Sequence, residues 1–320
     1  MRNTNFTKFK NAIMKTILYA TDCTDNDAYT LKYAYRFSSI MKADLHVLHV
    51  YNFPPISFST IQSKKILKKR LQQEQKDKVT KYCSVNLKNE FLEQPITIHA
   101  VENVSIVNSI LNVSKAILPD LVILGMKDDH SNRGCFSGNI ADVLLDKIEA
   151  PVLIVPNGLN YNCPSTIVYA TDFEKDDIIS IKKLIEIATP FEALIEIIHV
   201  FEINQYLAKE DMDRFKEEIL KEVSYKNIMF KTIASNKIKL GILSVLRKER
   251  ATMLVMLERK HDRAFNLFSR KDLVKYMGAI VPIPLLVFNK YISKSKKLNK
   301  HSKQDKCIKM NVPVFGHEFH

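Results

Sequence analysis

The sequence predicts an α/β protein built from two tandem, doubly wound, five-stranded parallel-sheet domains. Three observations lead there. First, the chain repeats itself: Thr16-Ile-Leu-Tyr-Ala-Thr-Asp22 returns as Thr166-Ile-Val-Tyr-Ala-Thr-Asp172, and Leu45-His-Val-Leu-His-Val-Tyr51 returns as Ile195-Glu-Ile-Ile-His-Val-Phe201, both at an offset of 150 residues. Two separate matches at one offset mark a duplicated unit. Second, short β-branched apolar runs, which suit strands buried on both faces, alternate with longer segments whose apolar residues lie three or four apart, which suit amphipathic helices. Third, 320 residues are enough for roughly two domains of about 150 residues, each with its own core.

In the first copy the strand runs are Thr16–Ala20, Asp44–Tyr51, Pro95–Val101, Asp120–Gly125 and Pro151–Val155. Helical periodicity falls near Asp25–Met41, Thr60–Glu90, Val104–Ile117 and Asn139–Ile148. The second copy follows the same plan. Its strands are Thr166–Ala170, Ala193–Phe201, Ile228–Ala234, Met253–Leu257 and Pro284–Phe288, with helices near Lys175–Thr189, Gln205–Lys226, Lys237–Glu249 and Lys271–Ala279. The segment 157–164, holding Asn157, Gly158, Asn160 and Asn162 and closed by Pro164, reads as a linker. The expected organisation is an N-terminal extension over 1–14, a first domain over 15–156, the linker, a second domain over 165–289 and a basic tail over 290–320. In such sheets a ligand binds beyond the carboxyl ends of the strands, at the point where the strand order reverses.

Composition narrows the function. With 46% hydrophobic and 26% charged residues the chain is globular rather than disordered. The polar stretch Met1–Ile13 has no apolar signal core, and no apolar run approaches the roughly 20 residues of a membrane span. Five cysteines, an odd number and without a CxxC pair, fit free thiols in a reducing compartment, so a cytoplasmic location and no membrane partner are expected. The net charge of +13 invites a nucleic-acid reading. Much of the excess, however, lies in the tail, where eight lysines from Lys290 to Lys309 face only Asp305 and Glu318. A second cluster, Lys64, Lys65, Lys68, Lys69 and Arg70, lies on an expected helix. Neither comes with a nucleic-acid reading motif, so such a partner is not expected.

The segment most informative about chemistry runs from Leu121-Val-Ile-Leu-Gly125 through Met126, Asp128 and Arg133 to Gly138-Asn139. It joins a strand end to a helix start, where free backbone N–H groups and the positive helix end meet an anion. It resembles the universal stress protein motif, in which a glycine is followed after two residues by a second, and after nine more by a third glycine and a serine or threonine. Gly125 and Gly138 match the first and third glycines, whereas Asp128 replaces the second and Asn139 the hydroxyl residue. Tyr19-Ala-Thr-Asp22, His49-Val50 and the terminal run Pro151-Val-Leu-Ile-Val155 extend the resemblance over about 15–156, and again over about 165–288.

The resemblance implies an adenine nucleotide alpha hydrolase-like fold. It further implies that Ala20, Thr21 and Asp22 face adenosine, that Val50 contacts adenine, and that Gly125, Met126, Asp128, Gly138 and Asn139 hold ribose and phosphates of ATP or a related adenine nucleotide, with Mg²⁺ or Mn²⁺ bridging. It also implies pairing of the last strands, so that Val152–Val155 meets Leu285–Phe288 and one chain forms an intrachain pseudo-dimer, covering two sheet edges. The departure at Asp128 sets a carboxylate beside phosphate; like charges a few ångströms apart cost about 1 kcal/mol in water and more where shielded. Lys127, His130 and Arg133 offset it, or a divalent cation does. An eroded site with no cofactor is the alternative, since fold does not guarantee function. In the second domain, aligning Leu254-Val-Met-Leu257 with Leu121-Val-Ile-Leu124 puts Glu258 at the first glycine, His261 at the second and Lys271-Asp272 at the terminal pair. No nucleotide is expected there. Phe265, Leu267 and Phe268 read as a patch that packs down, and Asp172 as a remnant serving as a helix cap.

Walker, dinucleotide-fold and nucleophile-elbow motifs are absent from the sequence, and nothing supplies a nucleophile–base pair, so no catalytic residue is assigned. Strand histidines such as His46, His49 and His199 suit hydrogen-bonded core positions better than ligation. The resulting expectation is a nucleotide-responsive regulatory or protective module with an unidentified protein partner. The rivals are a scaffold without ligand, a slow ATPase and, through the tail, a nucleic-acid binder.

Overall fold

The computed structural model describes residues 14–53, 63–126, 138–202, 207–258 and 271–289. In the first half the strands are β1 (Thr16–Thr21), β2 (Asp44–Tyr51), β3 (Ile96–Glu102), β4 (Leu121–Gly125) and β5 (Val152–Val155). Between them run the helices α1 (Ala28–Met41), α2 (Lys64–Leu87), α3 (Ile106–Ile117) and α4 (Gly138–Lys147). The second half supplies β6 (Thr166–Ala170), β7 (Leu194–Phe201), β8 (Ile228–Ala234), β9 (Met253–Glu258) and β10 (Leu285–Asn289), with α5 (Lys175–Ala188), α6 (Ala208–Glu222), α7 (Ile238–Lys248) and α8 (Lys271–Ile280). All ten strands join one sheet in the order β3-β2-β1-β4-β5-β10-β9-β6-β7-β8.

Within each half the pairing is parallel, and each half reverses its strand order between its first and fourth strands, β1/β4 and β6/β9. Such a sheet is covered on both faces, which is why its strands read as unbroken apolar runs. Ile17 and Tyr19 point to one layer, formed with α1, α2, α5 and α6. Leu18 and Ala20 point to the other, formed with α3, α4, α7 and α8. Helix ends follow local chemistry. The Ser63 and Ser105 hydroxyls accept the N–H groups of Ile66 and Asn108 at the starts of α2 and α3. Lys42 and Leu118 close α1 and α3 in the left-handed conformation and return their N–H groups to Ser38 and Ser114. Among the described residues no helix is long and apolar enough to cross a membrane.

The halves meet through β5 and β10, which run antiparallel in the register Leu285↔Ile154, Leu286↔Leu153 and Val287↔Val152. The expected meeting of the last strands is thus present, and it is symmetric about Leu153 and Leu286, both buried. The join is reinforced away from the strands. Asn289 Nδ2 donates to Ile148 O at 2.9 Å, Phe37 of α1 packs on Phe191 at 5.3 Å, and Tyr161 sets its edge to Tyr33 at 5.1 Å. Together these leave one continuous core layer on each face.

The ladder corrects one expectation. Ala20 pairs with Leu124 and, at the equivalent place, Ala170 pairs with Met256. Asp120 Oδ2 accepts the Lys15 and Thr16 N–H groups, and Thr252 Oγ1 accepts those of Ser165 and Thr166. Leu257, not Glu258, therefore occupies the place of Gly125, and Glu258 that of Met126. Runs of Leu, Val and Met match in either frame by composition; only the hydrogen-bond ladder distinguishes them. Asp172 is not the cap of α5 either: the N-cap is Glu174, whose N–H is accepted by Asp177 Oδ2 at 3.0 Å. His261, Phe265, Leu267 and Phe268 lie outside the described residues.

Candidate functional site at the β1/β4 switch point

The carboxyl ends of β1, β2 and β4 bring Ala20, Thr21, Val50 and Gly125 to one edge of the first sheet, with Asp22 and Met126 following directly. Ala20 and Thr21 are buried, Asp22, Val50 and Met126 half-buried. Met126 N–H donates to Val155 O at 2.8 Å, which holds the chain in line just past β4. Gly138 opens α4 and Asn139 stands in its first turn. Asp128 lies outside the described residues, as does the rest of the loop over 127–137.

The turn after β1 is tight. Cys23 takes a positive φ of 59° and donates its N–H to Thr21 Oγ1 at 2.9 Å. Asp22 Oδ1 accepts the Thr24 N–H at 3.1 Å and the Thr24 hydroxyl at 2.8 Å. The predicted adenosine-facing carboxylate thus also braces its own turn. His49, the β1-side neighbour of Val50, places Nδ1 3.1 Å from Thr21 O; a carbonyl only accepts, so Nδ1 carries the proton in this contact. Cys23 Sγ lies 3.7 Å from the same nitrogen. Burial pushes the Cys23 thiol up to about 12, which leaves it protonated and a poor nucleophile at neutral pH.

Beneath the turn lies a group of residues that the sequence reading passed over. Tyr19 OH donates to Asp27 Oδ2 at 2.7 Å. Asp27 is 5% exposed, and burial lifts its carboxyl to about 6, against hydrogen bonds from Thr21, Tyr19 and Thr30 that pull it down. Asp27 also explains why the first loop glycine is a glycine. A Cβ on Gly125 would stand 2.5 Å from Asp27 Oδ1 and 2.7 Å from Thr30 Oγ1. The carboxylate therefore links β1 to α1 and packs against the end of β4. One signal for it was present in the sequence: Tyr19/Tyr169 and Asp27/Asp177 share the same 150-residue offset as the longer repeats.

The second half repeats the turn but not the glycine. Phe173 has a φ of 65°, its N–H donates to Thr171 Oγ1 at 3.0 Å, His199 Nδ1 meets Thr171 O at 2.8 Å, and Tyr169 OH donates to Asp177 Oδ1 at 2.7 Å. Asp177, like Asp27, also accepts a threonine hydroxyl, that of Thr171 at 2.8 Å, and in addition the Glu174 N–H at 3.0 Å. With Leu257 in the glycine's place, the equivalent cleft is a cavity of only about 50 Å³, walled largely by apolar side chains including Val200, Ile242, Met256, Leu257 and Leu273. Among the described residues no group of three or more His, Cys, Asp or Glu is placed to hold a metal ion.

Against this geometry, comparison with known proteins is informative. Residues 14–156 match the profile of the Universal stress protein family. No curated protein sequence matches the chain. Among solved structures, a universal stress protein from Archaeoglobus fulgidus DSM 4304 aligns over 86% of this chain and 98% of its own, at 16% identity and a TM-score of 0.62. A putative universal stress protein from Pseudomonas aeruginosa UCBPP-PA14 aligns over 90% and 98%, at 14% identity and a TM-score of 0.58. A universal stress protein in complex with cAMP aligns over 46% of this chain and 100% of its own, at 15% identity and a TM-score of 0.31.

Proposed function

With residues 14–156 belonging to the universal stress protein family and the second half repeating the same unit in one sheet, we propose that this chain is a nucleotide-responsive regulatory module with one adenine-nucleotide site, in its first unit. The observation that carries the reading is the asymmetry between the two switch points. In the first, a partly buried turn over Ala20–Cys23 stands beside a bare glycine at the end of β4, and Gly138 starts a helix after the intervening loop. Backbone N–H groups at a helix start suit phosphate. In the second, a leucine side chain occupies the glycine's place and the remaining cavity of about 50 Å³ is far smaller than the several hundred cubic ångströms of an ordinary ligand site.

In this reading Ala20, Thr21 and Asp22 set the adenosine against β1, Val50 lies against the base, and Gly125, Met126, Gly138 and Asn139 line the path of ribose and phosphates, with Asp128 favouring a bridging Mg²⁺ or Mn²⁺. Bound nucleotide acts on the shape of the loop and so on a protein partner, to the extent that it binds the two loop states unequally. No catalytic residue is assigned, and the Cys23 thiol in the turn after β1 is held protonated by burial. Calorimetric titration of the full chain with ATP, ADP and cAMP, each with and without Mg²⁺ or Mn²⁺, tests the reading: saturation at one nucleotide per chain is expected. Two per chain contradicts the asymmetry, and none at millimolar ligand leaves the interaction scaffold, which the filled second cleft favours.

A further inference from the structure

We propose that Asp27 is a positioning residue that couples the candidate nucleotide site to the proton: its buried carboxylate, wedged between the Ala20–Cys23 turn and Gly125, opposes an anionic ligand above that glycine when ionised and ceases to oppose it when protonated. The proposal rests on the nucleotide reading above and adds a regulator to the same site.

The geometry supports it in three ways. Asp27 Oδ1 occupies the space a Gly125 side chain would fill, at 2.5 Å from the Cβ position, so nothing but backbone separates the carboxylate from whatever lies over the glycine. Asp27 Oδ2 accepts Tyr19 OH at 2.7 Å, and the Thr21 hydroxyl bonds to the same carboxyl. The carboxylate thereby holds the very turn whose Thr21 Oγ1 accepts the Cys23 N–H. Finally, among the described residues no cation neutralises it. The titratable groups that face it are Tyr19 from β1, Tyr82 from α2 and Cys23 from the turn. Burial pushes all three upward, so they stay neutral across the physiological range. Lys78 acts on Cys23 and His49 instead. Over a phosphate path, a lone buried negative charge in a medium of low polarizability acts at longer reach than a surface carboxylate would. The carboxyl titrates near 6, so a modest acidification changes its charge. The second unit makes a comparison within the chain: there Asp177 keeps the Thr and Tyr hydroxyls but also accepts the helix-start N–H of Glu174, and Leu257 replaces the glycine.

The test is calorimetric titration of the full chain with Mg·ATP and with adenosine at pH 5.5 and 7.5, on wild type, Asp27→Asn and Tyr19→Phe, each first shown to melt cooperatively. Each unit by which bound ATP raises the carboxyl's pKa strengthens binding up to about tenfold on protonation. The wild type is expected to bind ATP several-fold more tightly at pH 5.5. Asp27→Asn should bind more tightly than wild type at pH 7.5 and nearly alike at pH 5.5, and comparing the two proteins at each pH cancels the ionisation of ATP itself. Tyr19→Phe removes a hydrogen bond that lowers the carboxyl's pKa and should move the transition to higher pH. Adenosine, lacking phosphate, should bind alike in wild type and Asp27→Asn at both pH values. An Asp27→Asn profile that follows wild type overturns the proposal alone. If that variant does not fold, an unmoved transition in Tyr19→Phe does so. No ATP binding by wild type at either pH overturns the nucleotide reading and the proposal with it.

Discussion

Gly125→Ala probes the packing behind the candidate loop. The added Cβ would stand 2.5 Å from Asp27 Oδ1 and 2.7 Å from Thr30 Oγ1. Both atoms end side chains, yet neither is free to swing. Asp27 is 5% and Thr30 2% exposed, and the carboxylate holds Tyr19 OH. Relief requires breaking buried hydrogen bonds, at about 1–3 kcal/mol each, or shifting β4 against α1, an overpacking cost of about 1–3 kcal/mol. The two routes compete, so the cheaper sets a destabilisation of about 2 kcal/mol. Urea denaturation at pH 7.5 of wild type, Gly125→Ala, Asp27→Ala and the double variant measures it. Once Asp27 is truncated, the nearer clashing atom is gone, and the cost of Gly125→Ala should drop below about 1 kcal/mol, a coupling well outside the roughly 0.5 kcal/mol scatter of independent sites. The same cost in both backgrounds, or a negligible cost in wild type, refutes the account of this glycine.

Three other outcomes follow from the same chain. The Asp27 carboxyl titrates near 6 in the fold against 3.8 when exposed, so the folded chain holds that proton more tightly; its contribution to stability is full below about pH 4 and is lost as pH rises to about 6, on the order of 3 kcal/mol. Denaturation free energies of wild type relative to Asp27→Asn should show this fall between those pH values and none above. His46 Nδ1 and His99 Nε2 lie 2.8 Å apart, and burial holds both imidazoles below the ordinary 6.5. Their contribution has the opposite sign: full above that pH and lost as pH falls through the lowered values. The second half has Glu196 and Lys231 at the matching places, 3.0 Å apart, so His46→Glu with His99→Lys should fold and lose this acid-side decline in a pH series of thermal melts. At the join of the halves, Leu286 is 1% exposed, and Leu286→Ala should cost about 2–5 kcal/mol in chemical denaturation.

Much of this fold was legible in advance because buried parallel strands and amphipathic helices leave strong local marks. Every expected strand is present within a residue or two, and the repeated Thr-Ile-x-Tyr-Ala-Thr-Asp runs stand at equivalent places, as β1 and β6. The candidate site was legible where glycine and turn chemistry speak locally, at Gly125 and at Ala20–Asp22. What was not legible was the pairing of the fourth strands. The halves keep a 150-residue offset through β2 and β7, but the connection before β3 is longer than that before β8, and an all-apolar strand bears no mark that fixes its frame. A slip of one residue therefore put Glu258 where Leu257 stands.

The amino-acid sequence alone determined the duplication, the layer architecture and the two glycines, Gly125 and Gly138, that end β4 and open α4, because each of these is written in residues close together along the chain. Tertiary structure alone decided what stands behind the loop. Asp27 is near Tyr19 in sequence, but its meeting with Gly125 brings together residues nearly a hundred apart, and its altered acidity comes from burial by β1, β4, α1 and α2 together. Burial is a property of the assembled layers and belongs to no single segment; for the same reason only the folded chain shows that a glycine packs against Asp27 at one switch point while a leucine takes its place at the other.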